Sequence, residues 1–550
     1  MSNTQGEPWL VLGKQIDASG KEWQIGMPMA DFQTHASIAG ATGSGKSTLL
    51  RNLVLQFFGL GATVCVIEPH GDLVDDALDG CDNARLGQAV VLDLNSLCPP
   101  AIPLLTVGMV KNVDTAKQTA MSVLRVADSA NWDASGQMRE VLRHSLNVLL
   151  DAYHEQASLV WLKRFLSDAG DADAAFRERT LSLCSREIAD SRDYCQTKIK
   201  PALEGERGGG ELKMSIRSAL RRVDIFLEDR RFRRCLALPQ LGPRINMVEL
   251  LAGQRMVLAP VRKSELGEQA MQIFGTLLMW MVVRSLMGRG DRSQRRQAAI
   301  VIDEFATIAG SEAGELTEQA LAEARKYGAS LLLAMQFLAQ LPDSVRDAVK
   351  TNTLTKIIMN LPDPGEARAA MTMLSHPDLT PGDIQAIEKF HFYGKLTEHK
   401  ANHPACYLKA LPPIYLEEPE QAEEVEVPSR PRYSAETIRA HQMAAELHDP
   451  DDTTRSRATI DYLTELDQPA WEAVIAETMA ANRYTALTYL AKPDLIPDKV
   501  KRAKEVSGLL YGLQWWLRDA YYWRLKQDGD APRKAPAKKK EVKDGNKLLD

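Results

Sequence analysis

Residues 40–47, GATGSGKS, satisfy every position of the phosphate-cradling pattern GxxxxGK[ST]. Gly40, Gly43 and Gly45 let backbone N–H groups around Thr42, Ser44 and Thr48 turn toward phosphate oxygens. The helix that follows adds its positive dipole end. Lys46 is placed to reach the β- and γ-phosphates, and the Ser47 hydroxyl to ligate Mg²⁺. The pattern therefore predicts a site for a nucleoside triphosphate, with ATP and Mg²⁺ as the expected cofactors. A second constellation lies about 255 residues downstream, where the apolar run 298–302 ends in Asp303 and Glu304. Asp303 there would hold the metal, and Glu304 would orient and polarise an attacking water, because phosphoryl transfer depends mainly on positioning and charge stabilisation. The apolar run 330–335 ends in a lone amide, Gln336, which suits either a sensor of the γ-phosphate or a capping amide. Arg325, near the end of a helix, either complements the helix dipole or acts as an arginine finger on a neighbouring subunit's ATP.

Such side chains must stand at the carboxyl ends of parallel strands. Near-continuous apolar runs mark strands covered on both faces, and four are present: 34–39, 62–68, 298–302 and 330–336. Residues 255–261 and 356–360 read as further sheet strands, and 392–396 with 406–410 as a closing hairpin. Residues 48–55 read as the helix leaving the phosphate loop and 268–287 as a buried helix. From Asp114 to about Arg234 the apolar residues recur at spacings of three and four, as in 138–150, so this stretch reads as helical. The fold class is α/β.

The totals narrow the choices. The chain has 550 residues, net charge −6, 45% hydrophobic and 25% charged residues, an ordinary composition for several domains. Nucleic-acid contact would then need a local basic surface. One candidate is 213–234, with eight basic residues against three acids, in which Arg217, Arg221 and Arg222 are the candidate DNA contacts. The alternative is a solvated helix face. Seven scattered cysteines without a CxxC pair predict neither disulfide framework nor zinc site and fit a reducing cytoplasm. No signal peptide is visible, and the most apolar run, 273–283, falls short of the roughly 20 residues a membrane span needs. Residues 417–428 read as an acidic linker. The aromatic residues between Tyr511 and Trp523 suit a small core or a partner surface, and the basic end 533–543 reads as disordered.

With His35 ahead of the loop, Glu-Pro-His-Gly-Asp-Leu at 68–73, Ile-Asp-Glu-Phe-Ala at 302–306, Ala-Arg-Lys-Tyr-Gly at 324–328 and the strand ending at Gln336, the chain resembles the HerA/FtsK superfamily. Within it, the likeness is to the coupling ATPases of conjugation and type IV secretion, the TraD/TraG type, over roughly residues 10–415. The resemblance implies a RecA-like motor, working as a hexameric ring with ATP between subunits, and puts Arg325 at the position of the trans-acting arginine. It also implies an inserted helical domain. The expected layout is a first core part (1–113), the inserted all-helical domain (114–245), a second core part (246–415), a linker (416–430), a C-terminal helical domain (431–528) and a basic tail (529–550). The one departure is the lack of the transmembrane helices typical of coupling proteins. A cytoplasmic DNA translocase is the leading expectation, with partners able to recruit it to the inner membrane. Two alternatives stand beside it. One is an ATPase energising protein secretion or pilus assembly. The other is an ATP-gated module recruiting a relaxase, nuclease or secretion-machinery partner through 431–528.

Overall fold

The computed structural model describes residues 7–416 and parts of 433–478, with short gaps inside both. The acidic segment 417–428, the turn 288–294, the aromatic stretch 511–523 and the basic end 533–543 lie outside the described residues. The described chain forms two compact units, the second beginning at residue 433. In that second unit a helix spans Ala435–Leu447, and Ala440, Leu463, Trp471 and Val474 are buried.

The first unit is built on one sheet. Its strands are β1 (Trp9–Ile16), β2 (Glu22–Pro28), β3 (Ala36–Ala39), β4 (Thr63–Glu68), β5 (Ala89–Val91), β6 (Met256–Pro260), β7 (Ala298–Ile302), β8 (Ala329–Met335), β9 (Thr355–Ile358), β10 (His391–Lys395) and, after a two-stranded ribbon of β11 (Thr397–Glu398) and β12 (Ala401–Asn402), β13 (Cys406–Ala410). The order is β2-β1-β13-β10-β9-β3-β8-β7-β4-β6-β5. From β9 to β5 every neighbouring pair is parallel, and from β9 to β2 every pair is antiparallel. The architecture is α/β, a mostly parallel mixed sheet covered by helices.

Pleating explains the unbroken apolar runs, since successive residues point to opposite faces. In β7, Ala299 and Val301 enter one core while Ala298, Ile300 and Ile302 enter the other. The first of these cores holds the buried faces of α1 (Lys46–Gly59) and α2 (Asp72–Asp79). The opposite core takes in α3 (Gly136–Tyr153), α4 (Gly210–Glu228), α5 (Glu268–Met287), α6 (Gly314–Glu323), α7 (Asp343–Asn352) and α8 (Pro364–Leu374). Helix α3 shows why the middle of the chain is helical: Met138, Val141, Leu142, Ser145, Leu146 and Leu149 form one inward stripe. Among the described residues no strand lies between Val91 and Met256. From Ile273 to Val283 helix α5 is almost wholly apolar because that stretch is buried on all sides. No helix among the described residues is long and apolar enough to cross a membrane.

Two differences from the sequence reading have local causes. The strand before the phosphate loop begins at Ala36, not Thr34, because Met29–Thr34 form a 3₁₀ turn and His35 has φ 61°. The hairpin β1–β2 and the short β5 extend both edges of the sheet, where the sequence carries no buried-strand run.

Candidate functional site

The phosphate loop joins β3 to α1, so its backbone N–H groups gather at the positive end of a fourteen-residue helix. Gly45 has φ 105°, and a Cβ there would lie 2.6 Å from the Phe390 ring. Glycine is therefore required for both conformation and space. The loop is tied down from the neighbouring strand's exit: Ala41 N–H donates to Asn360 O at 2.9 Å. Phe390 N–H likewise donates to Ser44 O at 2.8 Å. Thr42, Gly43 and Ser47 are exposed, whereas Lys46 is only 6% exposed.

Strand order decides what Lys46 meets. Because β8 lies between β3 and β7, Gln336 at its exit stands between the loop and the acidic pair. Lys46 Nζ is 2.9 Å from Glu304 Oε1 and 3.9 Å from Asp303 Oδ1. Gln336 Nε2 donates to the same Glu304 oxygen at 3.1 Å. Glu304 has φ 45°, a left-handed conformation that a non-glycine residue rarely adopts, and its N–H donates to Asp303 Oδ1 at 2.9 Å. Residues held in such strained conformations cluster at functional turns. Burial raises the pKa of Asp303, and the Lys46 charge offsets only part of that rise. The structure thus brings Lys46, Asp303, Glu304 and Gln336 into one hydrogen-bonded group beside Ser47.

Two family models match this chain. One, described as "Helicase HerA, central domain", covers residues 10–234. The other, the "Type IV secretion-system coupling protein DNA-binding domain", covers 254–385. The chain resembles the HerA and coupling-protein ATPases. Among solved structures, an unbound form of the bacterial conjugative coupling protein TrwBΔN70 is 16% identical, with 72% of this chain and 89% of that one covered and a TM-score of 0.50. The plasmid coupling protein TrwB in complex with ADP and Mg²⁺ is also 16% identical, covering 73% and 90% with a TM-score of 0.50. VirB4 of Thermoanaerobacter pseudethanolicus is 14% identical over 75% and 98% of the two chains, with a TM-score of 0.46. At such identities the likeness is one of fold. No curated protein sequence matches the chain.

Three residues bear on this site that the sequence motifs do not mark as site residues. Glu68 ends β4 next to β7, with Ile67 in register with Ile302, so its carboxyl neighbours Asp303. It accepts from the N–H groups of His70 and Gly71 at 2.9 and 2.5 Å. Burial, then the charge of Asp303, pushes its pKa up to about 7. The signal was an apolar strand ending in an acid, like β7. Arg262, following β6, pairs with buried Asp93 at 3.2 Å and with Asp75 of α2 at 3.5 Å, and its guanidinium packs against Gly71 in the 68–72 loop. His35 is fully inside: its Nδ1 accepts from Leu331 N–H at 3.1 Å, which leaves Nε2–H to donate to Leu321 O at 3.1 Å. Burial holds its pKa down near 4. His35 thereby joins the strand entering the phosphate loop to α6 and to β8.

The remaining candidates lie apart. Arg325 sits in the 3₁₀ turn Ala324–Tyr327 that continues α6, exposed, and bonds none of Lys46, Asp303, Glu304 or Gln336 of its own chain. Arg217 and Arg221 are exposed one turn apart on α4. Arg222 is a correction. It is 1% exposed, bonds Ser218 O and Oγ at 3.1 Å each, and lies 5.7 Å from the Trp132 ring. One residue past Arg221 turns the helix by about 100°, onto the face shared by Ala219, Val223 and Phe226.

Proposed function

We propose that this chain is a Mg²⁺-dependent ATPase that moves DNA, assembled as a ring that the coupling-protein resemblance puts at six subunits. The observation that carries the reading is the convergence of Lys46, Asp303, Glu304 and Gln336 beside the phosphate loop. The metal fits the residues present: the Ser47 hydroxyl and the Asp303 carboxylate are oxygen donors of the kind a hard cation takes. Mg²⁺ held by them would neutralise charge on the β- and γ-phosphate oxygens. A triphosphate in the loop competes with Glu304 for Lys46. Released from the lysine, the Glu304 carboxylate, still oriented by Gln336, can accept a proton from an attacking water. Arg325, exposed in its own subunit, is available to stabilise transition-state charge in a neighbour's site.

DNA as cargo is supported by the description of the family model over 254–385 and by the exposed pair Arg217 and Arg221. In this reading 114–245 is a helical insertion in a core formed by 1–113 and 246–415, the domain 431–528 receives a partner such as a relaxase, nuclease or secretion-machinery subunit, and the motor works in the cytoplasm. The test is ATP hydrolysis by wild type and Glu304→Gln, with and without linear double- and single-stranded DNA at low salt. We expect DNA to accelerate the wild type many-fold. Glu304→Gln should slow turnover by about 10²–10⁴ while still binding ATP. A rate indifferent to both DNAs would remove DNA as the cargo. An active Glu304→Gln enzyme would remove the catalytic assignment.

A further inference from the structure

At the amino ends of the same parallel strands, away from the phosphate loop, lies a cavity of about 490 Å³ between α7, α8, β9 and β10. Lys350, Lys356 and Lys395 all line it, and among the described residues none of those lining it is a carboxylate. Lys356 and Lys395 are directly opposite one another in the antiparallel β9–β10 pair. Like charges at facing positions destabilise a sheet. The Lys356 ammonium is 7% exposed and donates to Thr353 O at 2.6 Å, Lys350 O at 2.9 Å and Thr353 Oγ1 at 3.3 Å. These are neutral acceptors at the end of α7, so its hydrogen bonds are satisfied while its charge is not. Lys350 has Asp347 at 3.8 Å, an exposed pair on the helix surface that offers little compensation. Leu354 and Met373 supply apolar lining, and Thr372 and Ser375 a polar rim.

Three ammonium groups around one hollow, two of them in a repulsive cross-strand pair, are stabilised by an anion between them. We propose that this cavity binds a small phosphorylated molecule of about mononucleotide size, at a site separate from the phosphate loop. The volume lies in the range of small-ligand sites and exceeds what a bare phosphate fills. Multiple ammonium groups match a di- or triphosphate better than a single carboxylate. The apolar lining gives a base or similar ring a surface to cover.

The experiment is calorimetric titration of the full chain with inorganic pyrophosphate and with ADP, both without Mg²⁺. The Lys46→Ala variant weakens the phosphate loop as a competing site, and Lys350→Gln plus Lys395→Gln in that background removes the two accessible charges of the cavity. Retained binding in Lys46→Ala that weakens at least tenfold with the two further substitutions is the expected result. ADP binding more tightly than pyrophosphate would show that the organic part is held as well, and equal affinities would reduce the ligand to its phosphates. Three results overturn the site: no binding in Lys46→Ala, binding unaffected by the Lys350 and Lys395 substitutions, or binding of a duplex oligonucleotide that neither small molecule displaces. Unchanged thermal melting of the variants checks that the fold is intact.

Discussion

Lys46 and Lys356 are buried to the same degree near opposite ends of the neighbouring parallel strands β3 and β9, yet their charges are handled in opposite ways. Lys46 faces two carboxylates and an amide that steadies one of them. Lys356 faces another lysine and a set of carbonyls. Burial alone therefore says little about what a cation is for. The partner decides: carboxylates give Lys46 a competitor for incoming phosphate, whereas Lys356 keeps a charge that the fold solvates poorly.

The largest expected effects test the cation sites of the proposed ATPase. Replacing Arg325 by Ala should lower hydrolysis of the assembled protein by about 10³ or more, the scale of an arginine finger. Being exposed, it should leave melting within about 0.5 kcal/mol of wild type. An assembled Arg325→Ala enzyme with normal turnover would return the residue to a helix-end role. Lys46→Ala should cost about 10²–10³ in turnover, the loss typical of one preorganised donor to developing charge. Lys46→Arg should not restore it, because the broad guanidinium replaces a compact ammonium beside Glu304. Phosphate-release kinetics read both.

The next effects separate the two buried bases that do no chemistry in this reading. Lys356 has its pKa lowered to about 8 by burial, with the Lys395 charge adding to it, from 10.5. A folded pKa below the unfolded one means stability fully present above pH 10.5 and lost as pH falls through 8. Wild type should gain up to about 3 kcal/mol between those limits, and Lys356→Met should lack that limb in denaturant titrations. His35 runs the same sign at lower pH: with a folded pKa near 4 against 6.5, its contribution is complete above pH 6.5 and disappears as pH falls through 4. His35→Ala should flatten the acid limb of the stability curve. An unchanged limb would mean that the imidazole accommodates its proton in place, against the bond it accepts from Leu331.

The contrast between the two lysines also marks how far the sequence alone carries the fold and the site. The phosphate loop was legible because its glycines are forced by backbone conformation, so pattern and geometry coincide. Strands β4, β7 and β8 were legible because both their faces are covered, which writes an unbroken apolar run. The hairpin strands β1 and β2 lack such a run, and β5 has only three residues. The basic cavity left no sequence signature, since Lys350, Lys356 and Lys395 come from a helix and two strands that only the fold assembles. Arg222 failed for a related reason: counting charges along α4 does not say which face each one takes.

The smallest effect is also the most local. Glu68 has a folded pKa raised to about 7 from 4.5, chiefly by burial and then by Asp303, and so lies near half-protonated at neutral pH. Raised in the fold, it contributes stability present below pH 4.5 and lost as pH climbs through 7. A divalent cation held by Asp303 favours the ionised form of its carboxyl neighbour and drives that pKa down. Binding of Mg²⁺–nucleotide should therefore release about half a proton per chain at pH 7, more near pH 6 and almost none above pH 9. Calorimetry in buffers of different ionisation enthalpy measures the release, and Glu68→Gln should abolish it. A release that persists in Glu68→Gln assigns the proton to another group. No release in wild type places the metal outside the field of Glu68 and, with it, away from Asp303.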